Sequence, residues 1–198
     1  LSGIAITHWH NDHTGSLAEI VSIAASRGAG EICIFMHRED CRIFLGGRGR
    51  FIKFHPLLRF PLYHMPGRMP EDGRFRFVEF EGQGGNPLEP WGIDFVHAPG
   101  HTPGNSAFYH GESGSLFCGS GMAMIDDETA GIMPVSCDRK QQVESARKLM
   151  NMDFKYLYPA HINVRSDAIP PDKRIPVTGH VPFMNRLKGT VPLFRYGS

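Results

Sequence analysis

Apolar positions along the chain change their period several times, and each change marks an element. Residues 4–6 (Ile4, Ala5, Ile6) read as a short buried strand whose carboxyl end runs straight into a polar loop. Over residues 16–27, Leu17, Ile20, Val21 and Ala24 recur at helical spacing, and Gly28 is placed to cap the end. Residues 31–36 form a second strand candidate. Residues 37–44 suit a short helix that stops before the glycines at 46 and 47. Periodicity is then lost until about residue 74, where Gly, Pro, Arg and aromatics crowd together. It returns as strict alternation in Phe75-Arg76-Phe77-Val78-Glu79-Phe80. Three more strands are expected at 93–97, 106–109 and 116–118, antiparallel in character. Ser136 is read as the N-cap of a helix through Met150 that turns Val143, Ala146, Leu149 and Met150 inward. A strand at 156–158 leads into Pro159-Ala160-His161, and a tail with five prolines from Ile169 onward is expected to wrap the surface.

Composition narrows the class without naming it. A chain of 198 residues suits one domain with a real core, and 41% hydrophobic against 21% charged residues is ordinary for a globular protein. The net charge of +1 argues against a protein built to coat nucleic acid. No apolar run approaches the ~18 residues that span a bilayer, so no membrane partner is expected. Cys33, Cys41, Cys118 and Cys137 form no CxxC pair, which suggests reduced core thiols and a cytoplasmic setting.

Chemistry concentrates in Thr7-His8-Trp9-His10-Asn11-Asp12-His13. In an extended segment residues two apart point the same way, so His8 and His10 can grip one ion. Asp12 and His13 fall just beyond and can reach a second ion or orient its water. Imidazole with carboxylate suits zinc, one or two ions, with Fe and Mn as competitors.

The segment resembles the first metal-binding motif of the metallo-β-lactamase superfamily, and later motifs follow in the family's order. Ala98-Pro99-Gly100-His101-Thr102-Pro103-Gly104 resembles the loop of the next histidine ligand. Leu116-Phe117-Cys118-Gly119-Ser120 resembles the strand that ends in a metal-bridging aspartate, and Tyr158-Pro159-Ala160-His161 the loop of the last histidine. The likeness covers residues 1 to about 165. It implies an α/β (α+β) fold, the αββα sandwich, with His8, His10 and His101 on a first metal and Asp12, His13 and His161 on a second. The implied activity is metal-dependent hydrolysis of an ester, thioester or lactone of a small molecule. There a metal-activated water attacks, and Asp12 holds it and takes its proton.

Two departures from the pattern shape the expectations. Ser120 stands where the family has a bridging aspartate, and a neutral hydroxyl cannot balance two close cations, so the second site should be weakened. Asp126 or Asp127 could swing in as a substitute. The chain also enters the first motif with almost none of the strands that usually precede it. The sequence therefore reads as a single domain over 1–198 lacking its front strands. Its uncovered apolar face would favour instability or association as a homo-oligomer. Residues 42–76 form a basic and aromatic insertion carrying Arg42, Arg48, Arg50, Lys53, Arg59, Arg68, Arg74 and Arg76. It can be a lid that attracts an anionic small-molecule substrate, a nucleic-acid surface, or a loop whose arginines stay solvated. A degenerate metal- or ligand-binding member is the alternative to a hydrolase. A nuclease is disfavoured by the chain's length.

Overall fold

The computed structural model describes residues 1–46, 50–52, 62–64, 67–71, 74–82, 85–124, 129–133, 135–161 and 175–176. The apolar run at the amino end forms β1 (Gly3–Ile6), which lies parallel to β2 (Ile32–His37). Parallel neighbours need a crossover, and α1 (Asn11–Thr14) with α2 (Leu17–Ser26) supplies it. Helix α2 ends as its glycine requires. Gly28 adopts φ 81°, and the amides of Gly28 and Ala29 turn back to the carbonyls of Ala25 and Ala24. After β2 come α3 (Arg38–Leu45), a hairpin of β3 (Arg50–Ile52) with β4 (Leu62–His64), and β5 (Phe75–Phe80), parallel to β2. The first sheet thus has the order β1-β2-β5.

The second sheet has the order β11-β8-β7-β6, from β6 (Ile93–His97), β7 (Ser106–His110), β8 (Ser115–Gly119) and β11 (Tyr156–Pro159). Strands β6, β7 and β8 run antiparallel, while β11 returns parallel to β8 after α4 (Arg139–Met150). A small third sheet joins β9 (Ala123–Met124), β10 (Thr129–Gly131) and β12 (Ile175–Pro176).

Burial shows four layers. On β2, Ile32, Ile34 and Met36 turn to one side and join Leu17, Val21, Cys41 and Phe44 of the helices. Cys33 and Phe35 turn the other way and meet Phe80, Phe95 and Phe108 between the two sheets. The far face of the second sheet (Ala107, Leu116, Cys118, Leu157) packs on Val143, Ala146, Leu149 and Met150 of α4. Helix, sheet, sheet, helix is the αββα order expected from the sequence. β2 is a continuous apolar run because it is buried on both faces.

Three local expectations change. Asp138, not Ser136, caps α4: its Oδ1 accepts from the Gln141 amide at 3.0 Å, while the Ser136 hydroxyl donates to the Gly100 carbonyl at 2.8 Å. The buried stripe of α2 runs Leu17, Val21, Ala25. At ~100° per residue this leaves Ile20 about 100° from its centre, and Ile20 is exposed. It lines an apolar cleft with Leu1, Ile23 and Ala24, beside β1 at the sheet edge. Cys41 and Cys118 are core thiols as expected, and none of the four cysteines is in a disulfide, but Cys137 is exposed.

In the insertion, Arg76 pairs with Glu31 at 2.6 Å, Arg42 with Glu39 at 3.5 Å, and Arg74 donates to the Ala25 carbonyl. The side chains of Arg48, Arg50, Lys53 and Arg59 lie outside the described residues. So do Asp126, Asp127 and all of the tail except β12. Among the described residues no helix is long and apolar enough to cross a membrane.

Candidate metal centre

The strand-to-loop junctions at one end of both sheets bring the histidines together. After β1 the chain stays extended through His10 (φ −61°, ψ 150°), so His8 and His10 project to the same side. It then closes into the single turn of α1, held by the Thr14 hydroxyl, which donates to the carbonyls of Trp9 and His10. His101 arrives from the loop between β6 and β7. There Gly100 has φ 128°, and any side chain would strike the backbone of Gln142 on α4.

Three ring nitrogens meet. His8 Nε2 lies 3.1 Å from His10 Nδ1, and His101 Nε2 lies 3.2 Å and 3.0 Å from those two atoms. All three residues are buried. The His101 Nδ1–H donates to the Val135 carbonyl at 2.7 Å, which leaves the lone pair on its Nε2 facing the other two rings. Lone pairs converging without a donor repel, and a cation at their centre removes the repulsion. A tetrahedral ion with bonds of ~2.0–2.1 Å sets its ligand nitrogens about 3.3 Å apart, close to the spacing here. The donor set fits a divalent ion. Burial, reinforced by the neighbouring imidazoles, holds His8 well below the ordinary histidine range and lowers His101 to about 3. Both are therefore neutral, the ligating form, at physiological pH.

Beside this trio stands a more open group. Asp12 Oδ2 lies 3.5 Å from His13 Nε2 and 3.4 Å from His161 Nε2. Donor atoms of His8, Asp12 and His13 all lie within 4.8 Å of one another. The Asp12 carboxyl is held below its usual range by its hydrogen bond to His161 and by the charge of His13, against the opposing effect of burial. Burial lowers His13, and the Asp12 charge partly offsets it. Ser120 falls where the motif order put it: its buried hydroxyl is 3.2 Å from His13 Nε2. His161 is positioned by its carbonyl, which accepts from the Met124 amide. His8, His10, Asp12, His13, His101, Ser120 and His161 are thus in one place.

Residues that motif reading passed over hold this arrangement. Thr7 Oγ1 is 3.1 Å from the Nδ1 atoms of both His8 and His13. A hydroxyl oxygen has two lone pairs and can accept from both, which turns both Nε2 atoms to the site. Gly119 has φ 54°, and a side chain there would lie 2.7 Å from Thr7. Gln142 of α4 donates to the Ser120 carbonyl at 3.0 Å. Asp40, on α3, accepts from the Trp9 amide (3.2 Å), the Thr102 hydroxyl (2.6 Å) and the Gly104 amide (2.6 Å). Burial raises its carboxyl to about 6, against the lowering effect of those donors. The one sequence signal for Asp40 was an acid on the same helix face as Phe44, where the apolar stripe runs.

The sequence profile of the metallo-β-lactamase superfamily matches residues 1–161. A Beta-lactamase-like protein 2 homolog of Drosophila melanogaster is 27% identical over 176 residues, covering 84% of this chain and 46% of that protein. A hydroxyacylglutathione hydrolase of Synechococcus sp. (strain JA-2-3B'a(2-13)) is also 27% identical, over 157 residues, covering 71% of this chain and 59% of that one. The chain spans about half the length of these curated relatives. Among solved structures, the archaeal superfamily protein ST1585 from Sulfolobus tokodaii superposes with a TM-score of 0.53 at 19% identity, covering 85% of this chain and 64% of that one. A di-iron-bound form of TTHA1623 gives 0.51 at 22% identity, covering 80% and 69%. These two likenesses speak for the fold. With four motifs in order, an αββα core and a profile match over most of its length, the chain belongs to the metallo-β-lactamase superfamily.

Proposed function

We propose that the protein is a metal-dependent hydrolase that cleaves a small ester, thioester or lactone, with His8, His10 and His101 holding a divalent ion. The observation that carries this reading is the buried triangle of nitrogens 3.0–3.2 Å apart. Burial keeps the His8 and His101 rings neutral, and one lone pair is fixed by Val135. A divalent ion bound there supplies Lewis acidity and lowers the pKa of water. Zinc suits imidazole donors; the iron in TTHA1623 makes iron the second metal to test.

The chain's own residues divide the remaining work. Half-exposed Asp12 faces the trio from the solvent side of the second group and can accept a hydrogen bond from the attacking water. His161, 3.4 Å from Asp12 Oδ2, holds that carboxylate and fixes its direction. His161, partly exposed, can pass a proton outward to the leaving group. Thioesters come first among substrates because one relative is a hydroxyacylglutathione hydrolase.

A second reading rests on Ser120. With its hydroxyl at the bridging position, the second group brings, among the described residues, one carboxylate, Asp12, to what would be two cations. A protein that holds one ion and binds a ligand without turnover follows if that charge is indispensable. Loading the metal-free protein with zinc, then with iron, and assaying a thioester, a lactone and a generic ester separates the two. Hydrolysis that disappears in His10→Ala supports the enzyme. One tightly held ion with no hydrolysis of any of the three supports the binder.

A further inference from the structure

Asp40 is fully buried, on a helix that contributes no histidine to the centre. A buried carboxylate costs several kcal/mol unless donors surround it, and this one has three. All three come from the loops that carry the trio. The Trp9 amide lies between His8 and His10, and the Thr102 hydroxyl and Gly104 amide follow directly on His101. The two oxygens share the work: Oδ2 takes Trp9 and Thr102, and Oδ1 takes Gly104. A single planar group therefore ties two loops separated by some ninety residues of sequence, at 3.2 Å on the Trp9 side and 2.6 Å on the Thr102 and Gly104 side. Gly104 makes the approach feasible, since a side chain there would sit 2.7–2.8 Å from Asp40 itself. Thr102, also fully buried, contributes the shortest of the bonds together with Gly104.

We infer that Asp40 is a positioning residue. By clamping the His8–His10 loop to the His101 loop, it sets the spacing of the nitrogen triangle and so the affinity of that triangle for a divalent ion. The inference rests on reading the trio as a metal site. Asn at this position keeps one carbonyl acceptor but turns an NH₂ toward at least one of the three donors, so the clamp loses at least one of its three bonds. Partners one step behind metal ligands typically govern 10- to 100-fold in affinity.

The test uses the full chain and zinc as the probe, with metal-free unfolding and amide exchange measured alongside. D40N is expected to bind zinc 10- to 100-fold more weakly and to exchange the Trp9 and Gly104 amides faster. T102V should lose about tenfold, and T102S, which restores the hydroxyl, should recover most of that loss. If D40N fails to fold, the Thr102 pair decides. Wild-type zinc affinity in folded D40N or in T102V overturns the inference, even where the unfolding midpoint falls, because Asp40 would then be merely structural. A wild-type chain that takes up no zinc overturns the metal reading itself, and this inference with it.

Discussion

The two halves of the centre are built in different ways. His8, His10 and His101 are buried with their donor atoms 3.0–3.2 Å apart, His101 is bonded to the Val135 carbonyl, and Asp40 ties the loops that carry them. Asp12, His13 and His161 are more exposed, Asp12 lies 3.4–3.5 Å from the two imidazoles, and the Ser120 hydroxyl stands 3.2 Å from His13. The first half is held by contacts that need no ion, through Val135 and Asp40, so little ordering is expected on binding. Among the described residues the second half offers one carboxylate, Asp12. Affinity for metal should therefore divide sharply between them.

Removing a member of the first half should have the largest effect. His101→Ala leaves two imidazoles, and zinc uptake and turnover should both fall by roughly 10³-fold or more; competition with a chelating dye measures the first. Retention of wild-type affinity would mean the trio is not the site. Next in size, Ser120→Asp should strengthen binding of a second ion about tenfold or more by adding the missing charge. No change in stoichiometry or affinity would show that charge is not what limits the second half.

A pH dependence follows from the first half's burial. Burial lowers His8 and takes His101 to about 3; His37, under burial and beside His97, drops to about 4. Below the unfolded value near 6.5 the unfolded chain binds more protons than the folded one, so stability falls as pH drops from there toward 4. Asp40, raised to about 6, opposes part of this loss between about pH 6 and 4. The metal-free protein should lose roughly 3 kcal/mol between pH 7.5 and 5.5. Denaturant titrations with the same midpoint across that range would disprove it. Smallest of the four, Thr7→Val unties His8 and His13 and should weaken zinc binding about tenfold. Equal weakening of both halves would fit its two contacts, and an unchanged affinity would remove Thr7 from the account.

Much of this centre could be read directly from residue order. His8, His10, Asp12 and His13 announce themselves by spacing, and His101, Ser120 and His161 by short motifs in a fixed sequence. The strands were legible where one period ruled, as at Phe75–Phe80. The hairpin of β3 and β4 was not, because neither of its three-residue strands is long enough to establish an alternation. Asp40 was hidden for a different reason. Its function depends on three donors that are remote in sequence, and a local pattern cannot reveal a contact made across 62 residues to Thr102. The cap of α4 was misassigned to Ser136 because two good capping residues stand two positions apart. The choice was made by Gly100, whose carbonyl takes the serine hydroxyl.

Calorimetric titration of the metal-free chain with zinc tests the contrast between the two halves most directly. The account predicts one tight equivalent per chain, abolished by His101→Ala, and a second at least about a hundredfold weaker that Ser120→Asp strengthens. Two equivalents of equal affinity, or a tight equivalent that survives the loss of His101, would contradict it.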